Sequence, residues 1–229
     1  MGKDIVGYQM NPEGDRQDIY HIVRESGESL ERLAVIDILE PFPVETPRAK
    51  HIILTGSTLT LSEEMPDDFR THTERVSEEV LRQVDSNIPV LGICYGSQVI
   101  AEKLWPGSVQ PTGKWNVGRT KIMPVRNSPI FDSSLEPMSI TISFKDRIVG
   151  IPRKNILAKS PTGEILAYQY KSFIGILGHP EIPVSIIQKV IEQRKNDSRY
   201  KNIKVLTLSE HDEMVLPSSI RIIQNFLTL

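Results

Sequence analysis

One cysteine in 229 residues leaves no partner for an intrachain disulfide and no basis for a cysteine-rich metal site. A lone thiol fits a reducing compartment, so a cytoplasmic protein is the expectation. No apolar stretch approaches the roughly 18 residues of a membrane span, and Met1-Gly2-Lys3-Asp4 lacks the long apolar segment of a secretory signal. Basic runs are missing too. Lys and Arg number 27 against 29 Asp and Glu, for a net charge of −2, which offers no electrostatic case for nucleic acid or an anionic membrane as partner. Neither G-x-x-x-x-G-K-[ST] nor G-x-G-x-x-G occurs, and no ligand cluster stands out, so no cofactor and no metal are expected.

What is present alternates. Lys3–Gln9, Leu33–Leu39 and His51–Thr55 read as strands. Residues 16–26, with Asp15 as a candidate cap and Ile19, Ile22 and Val23 on one face, read as a helix, as do residues 68–85 with Val76, Val80, Leu81 and Val84 as the buried stripe. The Pro-rich segment Pro41–Pro47 reads as a loop. Strands alternating with helices argue for a parallel sheet covered on both faces. The middle third differs: Pro111–Trp115 reads as a turn, and Val117–Val125, Ser139–Phe144 and Asn155–Ser160 as short strands. Ile165–Tyr170 and Phe173–Leu177 form an expected hairpin about Lys171-Ser172. These should add mixed or antiparallel strands to the sheet edge. A helix over 182–196, a strand over Lys204–Leu208 and a last helix over Ser218–Leu227, capped by Ser218 or Ser219, complete the expectation. No repeat or boundary divides the chain, and a single domain over residues 1–229 is expected.

The chain's centre of interest is Pro89-Val90-Leu91-Gly92-Ile93-Cys94-Tyr95-Gly96-Ser97-Gln98. An apolar run arrives at the cysteine, and a helical pattern (Val99, Ile100, Ala101, Leu104) leaves it. That is a strand, a sharp elbow with Cys94 at the apex, and a helix, with Gly92 and Gly96 suiting the tight and strained turn. A helix N-terminus beside Cys94 favours negative charge, and the thiolate is the reactive form. The alternative is a small buried core residue. A thiolate enzyme also needs an imidazole and a carboxylate to orient it. His21, His51, His72 and His211 read as exposed or internally satisfied. His179 stands in Gly-His-Pro-Glu, and Glu181, two residues on in an extended segment, shares its side and can reach the imidazole.

Gly92-Ile93-Cys94-Tyr95-Gly96-Ser97-Gln98, followed later by His179-Pro180-Glu181, resembles the class I glutamine amidotransferase family, in particular the amidotransferase domain of GMP synthase and stand-alone domains like it. Leu54-Thr55-Gly56-Ser57, Trp115-Asn116-Val117-Gly118 and Gly163-Glu164-Ile165-Leu166-Ala167 fall in the family's order. The resemblance covers residues 51–181 and implies a flavodoxin-like α/β fold, a three-layer sandwich with a central, mostly parallel sheet. It further implies Cys94 as nucleophile, His179 as base and Glu181 as its orienting carboxylate. The N–H groups of Gly56 and Tyr95 would form the oxyanion hole, and Gln98 would contact the substrate. Glutamine would be hydrolysed through a γ-glutamyl thioester, with ammonia supplied to a separate synthetase subunit. Two departures stand out: Ser143-Phe144-Lys145-Asp146 replaces the usual Ser-His-Gly-Asp, and Gly56-Ser57-Thr58 lacks a second glycine or proline. Two other readings stay open, a stand-alone hydrolase of γ-glutamyl peptides or amines and a non-catalytic regulatory module on the same fold.

Overall fold

The computed structural model describes residues 3–12, 17–40, 49–131, 138–193, 202–206 and 215–229. The candidate cap Asp15, the Pro-rich segment 41–47 and His211 lie outside them.

Five strands run parallel: β1 (Ile5–Gln9), β2 (Leu33–Asp37), β3 (His51–Leu54), β4 (Val90–Ile93) and β10 (Phe173–Ile176). Their order in the sheet is β2-β1-β3-β4-β10. Every residue of β1, β3, β4 and β10 is buried, which explains why these strands read as continuous apolar runs rather than alternating ones. Beyond β10 the sheet turns antiparallel through β9 (Ile165–Tyr170), β8 (Ile156–Lys159) and β6 (Met123–Pro124), giving eight strands. The β9–β10 hairpin falls where expected, with Lys171 at φ 51° in the turn.

Helix α1 (Gln17–Glu25) lies on β1 and buries Ile19, Ile22 and Val23. Helix α2 (Asp67–Asp85) packs on β4 and on α3 (Tyr95–Leu104). It buries Val76, Val80 and Val84, while Leu81 stays half-exposed at the edge of that stripe.

Three expectations need correction. First, β5 (Val109–Lys121) and β7 (Ser139–Ile148) do not extend the main sheet. They pair with each other and, through β5, with β11 (Ile203–Val205) in a second, three-stranded sheet. Second, Pro111–Trp115 is no turn: it lies inside β5, where the register shifts between Pro111 and Asn116 and Gly113 adopts φ 76°. A bulge uses the same residue types as a turn, so composition could not separate them. Third, α5 (Pro217–Phe226) is not capped by Ser218 or Ser219. Leu216 is its N-cap and Pro217 opens the first turn, while the Ser219 hydroxyl donates to the Ser139 carbonyl at 2.6 Å. Helix α4 (Val184–Gln193) buries Val184 and Ile187. It covers the small sheet, and Ile187 meets Trp115 and Val117 there. One hydrophobic cluster runs through the main sheet, α1–α3, α5 and the inner residues of β7, so the two sheets share a core. Among the described residues no helix is long and apolar enough to cross a membrane.

His51, expected to be exposed or satisfied, is neither. It is buried at the start of β3, edge-on to Phe226 (5.5 Å, 73°), and neither ring nitrogen has a hydrogen-bond partner among the described residues. Burial, with the Arg32 charge, holds its pKa below the ordinary 6.5. The unfolded chain therefore binds a proton that the folded chain resists, and stability falls as pH drops below about 6.5. His51→Phe should remove this loss: the difference in unfolding free energy between variant and wild type should move in favour of the variant as pH falls from 7 to 5, by at most about 1.4 kcal/mol per unit for one proton. Chemical denaturation across that range measures it, and a pH-independent difference would refute it.

Candidate active site

Gly56 follows β3, Cys94 follows β4 and His179 follows β10. These three strands are neighbours and parallel, so all three residues emerge at the carboxyl ends of the strands, where open α/β sheets bind ligands.

Cys94 is the N-cap of α3, with φ 48° and ψ −106°, a conformation that costs a residue with a β-carbon on the order of 1–3 kcal/mol. The strained dihedral falls on the cysteine itself, not on its flanking glycines; these provide room instead. A Cβ on Gly96 would sit 2.6 Å from Leu54 Cβ, and one on Gly92 would sit 2.9 Å from the Ser97 nitrogen. The elbow is held by its backbone: Cys94 N donates to the Ile176 carbonyl (2.7 Å), Gly96 N to the Thr55 carbonyl (3.1 Å) and Gln98 N to the Cys94 carbonyl (3.0 Å). The Ser97 hydroxyl donates to the same Cys94 carbonyl at 2.7 Å. Cys94 is 5% exposed, and its Sγ lies 3.6 Å from the Ser143 carbonyl of β7.

His179 N donates to the Thr141 carbonyl (2.7 Å), which ties the segment after β10 to β7. Its Nδ1 meets Glu181 Oε1 at 2.8 Å, and the ring's other nitrogen is left for Cys94, with which the imidazole also interacts. Burial opposes the imidazolium. The negative charges of Cys94 and Glu181 and the hydrogen bonds to both outweigh it, and hold His179 well above the usual histidine range.

Gly56 touches both partners. A Cβ there would lie 2.9 Å from His179 Cε1 and 3.5 Å from Cys94 Cβ, so only glycine fits without moving the imidazole. The Gly56 carbonyl accepts from the Thr55 hydroxyl, and its N–H donates to nothing among the described residues. The Tyr95 N–H is likewise without a partner, as the first amides of a helix are. The Tyr95 side chain is a core anchor, its phenol raised to about 12 chiefly by burial, and only its backbone is available for chemistry.

Gln98 is 3% exposed, and its Nε2 donates to the Asp146 carbonyl (2.9 Å), so it is no solvent-facing helix residue. Asp146 and Ser62, which sequence reasoning did not single out, form the adjoining contacts. Asp146 is fully buried, and its carboxylate accepts from the Ser62 N–H (3.0 Å) and hydroxyl. Lys145, the departure from the family pattern, pairs with Glu63 of the same loop. The loop following Gly56 is thus clamped to β7 twice. The sequence signal was the lysine itself, a charge where a glycine was expected; Ser62 gave none. Of the other histidines, His72 is half-buried on α2, and His21 bonds the Glu181 backbone.

The family model for class I glutamine amidotransferases matches residues 19–194. The chain belongs to the class I glutamine amidotransferase family. It is 33% identical over 141 residues to a GMP synthase (glutamine-hydrolysing) of Cytophaga hutchinsonii, covering 60% of this chain and 26% of that one. With the corresponding protein of Thermomicrobium roseum it shares 31% over 159 residues, covering 67% and 28%. The chain therefore spans little more than a quarter of the curated relatives it matches. Among solved structures, a glutamine amidotransferase from Thermotoga maritima superposes with a TM-score of 0.70 at 20% identity, covering 98% of this chain and 96% of that one. A structure of PurLQS from the same organism gives 0.68 at 16%, covering 99% and 98%. At these identities they speak for the fold.

The strain at Cys94 is measurable. Alanine is ordinarily the more stable choice over glycine by about 0.5–1 kcal/mol in regular structure. At this elbow the order should invert, with Cys94→Gly unfolding at a higher temperature than Cys94→Ala in calorimetry. The usual order would show that the elbow carries no strain.

Proposed function

We propose that the chain hydrolyses the side-chain amide of glutamine to glutamate and ammonia, with Cys94, His179 and Glu181 as the catalytic residues. The observation that supports the reading most is the chain of contacts Glu181–His179–Cys94 with Gly56 against both the imidazole and the thiol-bearing residue.

In this reading the Cys94 thiolate attacks the amide carbon, and the carbonyl electron pair moves onto oxygen. The N–H groups of Gly56 and Tyr95, without a partner among the described residues, receive that oxyanion. Imidazolium at His179 gives its proton to the departing nitrogen as the C–N bond breaks, releasing ammonia and leaving a γ-glutamyl thioester. Water then loses a proton to His179 as it attacks the thioester, and collapse returns glutamate and the thiol. Glu181 holds the ring and offsets its charge. Gln98, whose amide nitrogen is engaged by Asp146, keeps its amide oxygen for a donor on the substrate. The ammonia goes to a synthetase that activates an acceptor. The named activity of the GMP synthase relatives supports this, although this chain spans only about a quarter of them.

Cys94→Ala should abolish glutamate release, His179→Asn should remove most of it, and Glu181→Gln should cost less, because an orienting group contributes less than nucleophile or base. Glutamate release from glutamine and from γ-glutamyl dipeptides, followed side by side, tests the substrate. Dipeptide turnover far above that of glutamine would replace the amidotransferase with a γ-glutamyl hydrolase. No release from either, with Cys94 inert toward a glutamine-like electrophile, would leave a non-catalytic module.

A further inference from the structure

His21 lies on α1, far in sequence from the triad, yet its Nε2 is 2.9 Å from the backbone carbonyl of Glu181. A carbonyl oxygen only accepts, so Nε2 carries the proton and donates. The contact is half-buried, with the ring's Nδ1 toward Glu25 Oε1 at 3.8 Å.

The packing of α1 holds His21 in place. Its neighbours Ile19, Ile22 and Val23 are buried in the core, and α1 lies close on β1 at Gly7, where a Cβ would sit 2.3 Å from Ile19 Cγ1. Glu181 needs such a support. Its Oε1 holds His179, but its Oε2 is buried with no hydrogen-bond partner among the described residues. Among the described residues, no polar contact on the carboxylate other than the bond to His179 itself fixes it against rotation or shift. Its place is set by the backbone on either side: His179 N is bonded to Thr141 before it, and the Glu181 carbonyl to His21 at it.

We propose that His21 is a positioning residue for the triad, holding the Glu181 backbone so that the carboxylate meets His179 Nδ1. This rests on the reading of Cys94, His179 and Glu181 as the catalytic residues. Removing the donor lets the segment after β10 drift, and a shift of about 1 Å at a catalytic group is enough to cost an order of magnitude or more in rate. In the proposed reading the substrate meets Cys94, on the side of the imidazole away from the Nδ1 that Glu181 holds, so substrate affinity is spared.

The test compares His21→Ala, His21→Phe and His21→Gln in the full chain. Alanine and phenylalanine remove the donor, and the glutamine amide can donate to the same carbonyl. Three quantities are read: kcat and KM for glutamate release, the second-order rate of Cys94 alkylation by iodoacetamide at neutral pH, and the unfolding temperature. His21→Ala and His21→Phe should lower kcat about tenfold with KM within about twofold, and should slow alkylation, while His21→Gln recovers both. Wild-type kcat and alkylation in the Ala and Phe variants would overturn the proposal. So would equal loss in all three, or losses that simply follow unfolding temperature. If the wild-type chain releases no glutamate at all, the glutamine reading fails, and the alkylation rates still decide the role of His21.

Discussion

The parallel ladder between β4 and β10 is the interaction on which the site depends. It pairs Gly92 with Gly175 and Ile93 with Ile176, and it ends in the bond from Cys94 N to the Ile176 carbonyl. Without it, the elbow and the His-Pro-Glu segment would be two unrelated pieces of chain. With it, each leaves its strand at the same end and in adjacent positions, separated by one inter-strand spacing of about 4.8 Å. β3 on the far side of β4 then supplies Gly56 by the same logic. The crossing β7 closes the arrangement, since its Thr141 and Ser143 carbonyls meet His179 N and the Cys94 sulfur.

A second constraint follows from the first. Three strand ends converging at one point leave little volume, and the chain meets that with glycine at every close approach. Gly56 abuts the imidazole, Gly96 abuts Leu54, and Gly178 abuts Ile140 and the Thr141 carbonyl. The residue that cannot be glycine is Cys94, because it must carry the sulfur. It therefore bears the unfavourable backbone angles that its neighbours escape. Strain at Cys94 and glycine around it are two consequences of the same crowding.

This separates what was legible in the sequence from what was not. The parallel strands His51–Leu54 and Val90–Ile93 were readable because burial on both faces leaves uninterrupted apolar runs, whereas Phe173–Ile176 read only as half of an edge hairpin and its parallel pairing with β4 did not show. As candidates, Cys94, His179 and Glu181 stood out because a short-range pattern carries each one: an elbow between glycines, and a histidine followed by a proline with a carboxylate two residues on; the structure brings Glu181 to the imidazole. The second sheet was not readable, because nothing local in Val117 or Ile142 says which of two sheets a strand joins. Nor was the bulge at Gly113, whose composition is that of a turn. His21, Ser62 and Asp146 escaped for the same reason. Each acts through a partner far away in sequence: His21 and Glu181 are 160 positions apart, and Ser62 and Asp146 are 84 apart. Local pattern carries no trace of such a pairing.

The departures from the family's pattern gain a physical meaning at this point. A glycine at position 145 would leave the loop after Gly56 held to β7 only through Ser62 and Asp146. Lys145 adds an ion pair to Glu63, while Phe144 is buried in the core instead of presenting an imidazole. The same loop begins at Gly56, whose N–H, in the proposed reading, must stay in place for an oxyanion to be received there. It lacks the second glycine or proline that would shape its turn, and the clamp to β7 supplies from outside the order that the loop's own sequence does not. Asp146 is the hinge of both tasks: its carboxylate fixes the loop, and its carbonyl fixes the amide of Gln98. The order of the loop after Gly56 and the orientation of Gln98 therefore rest on the same residue of β7, the strand whose pairing brings Ser143 against Cys94.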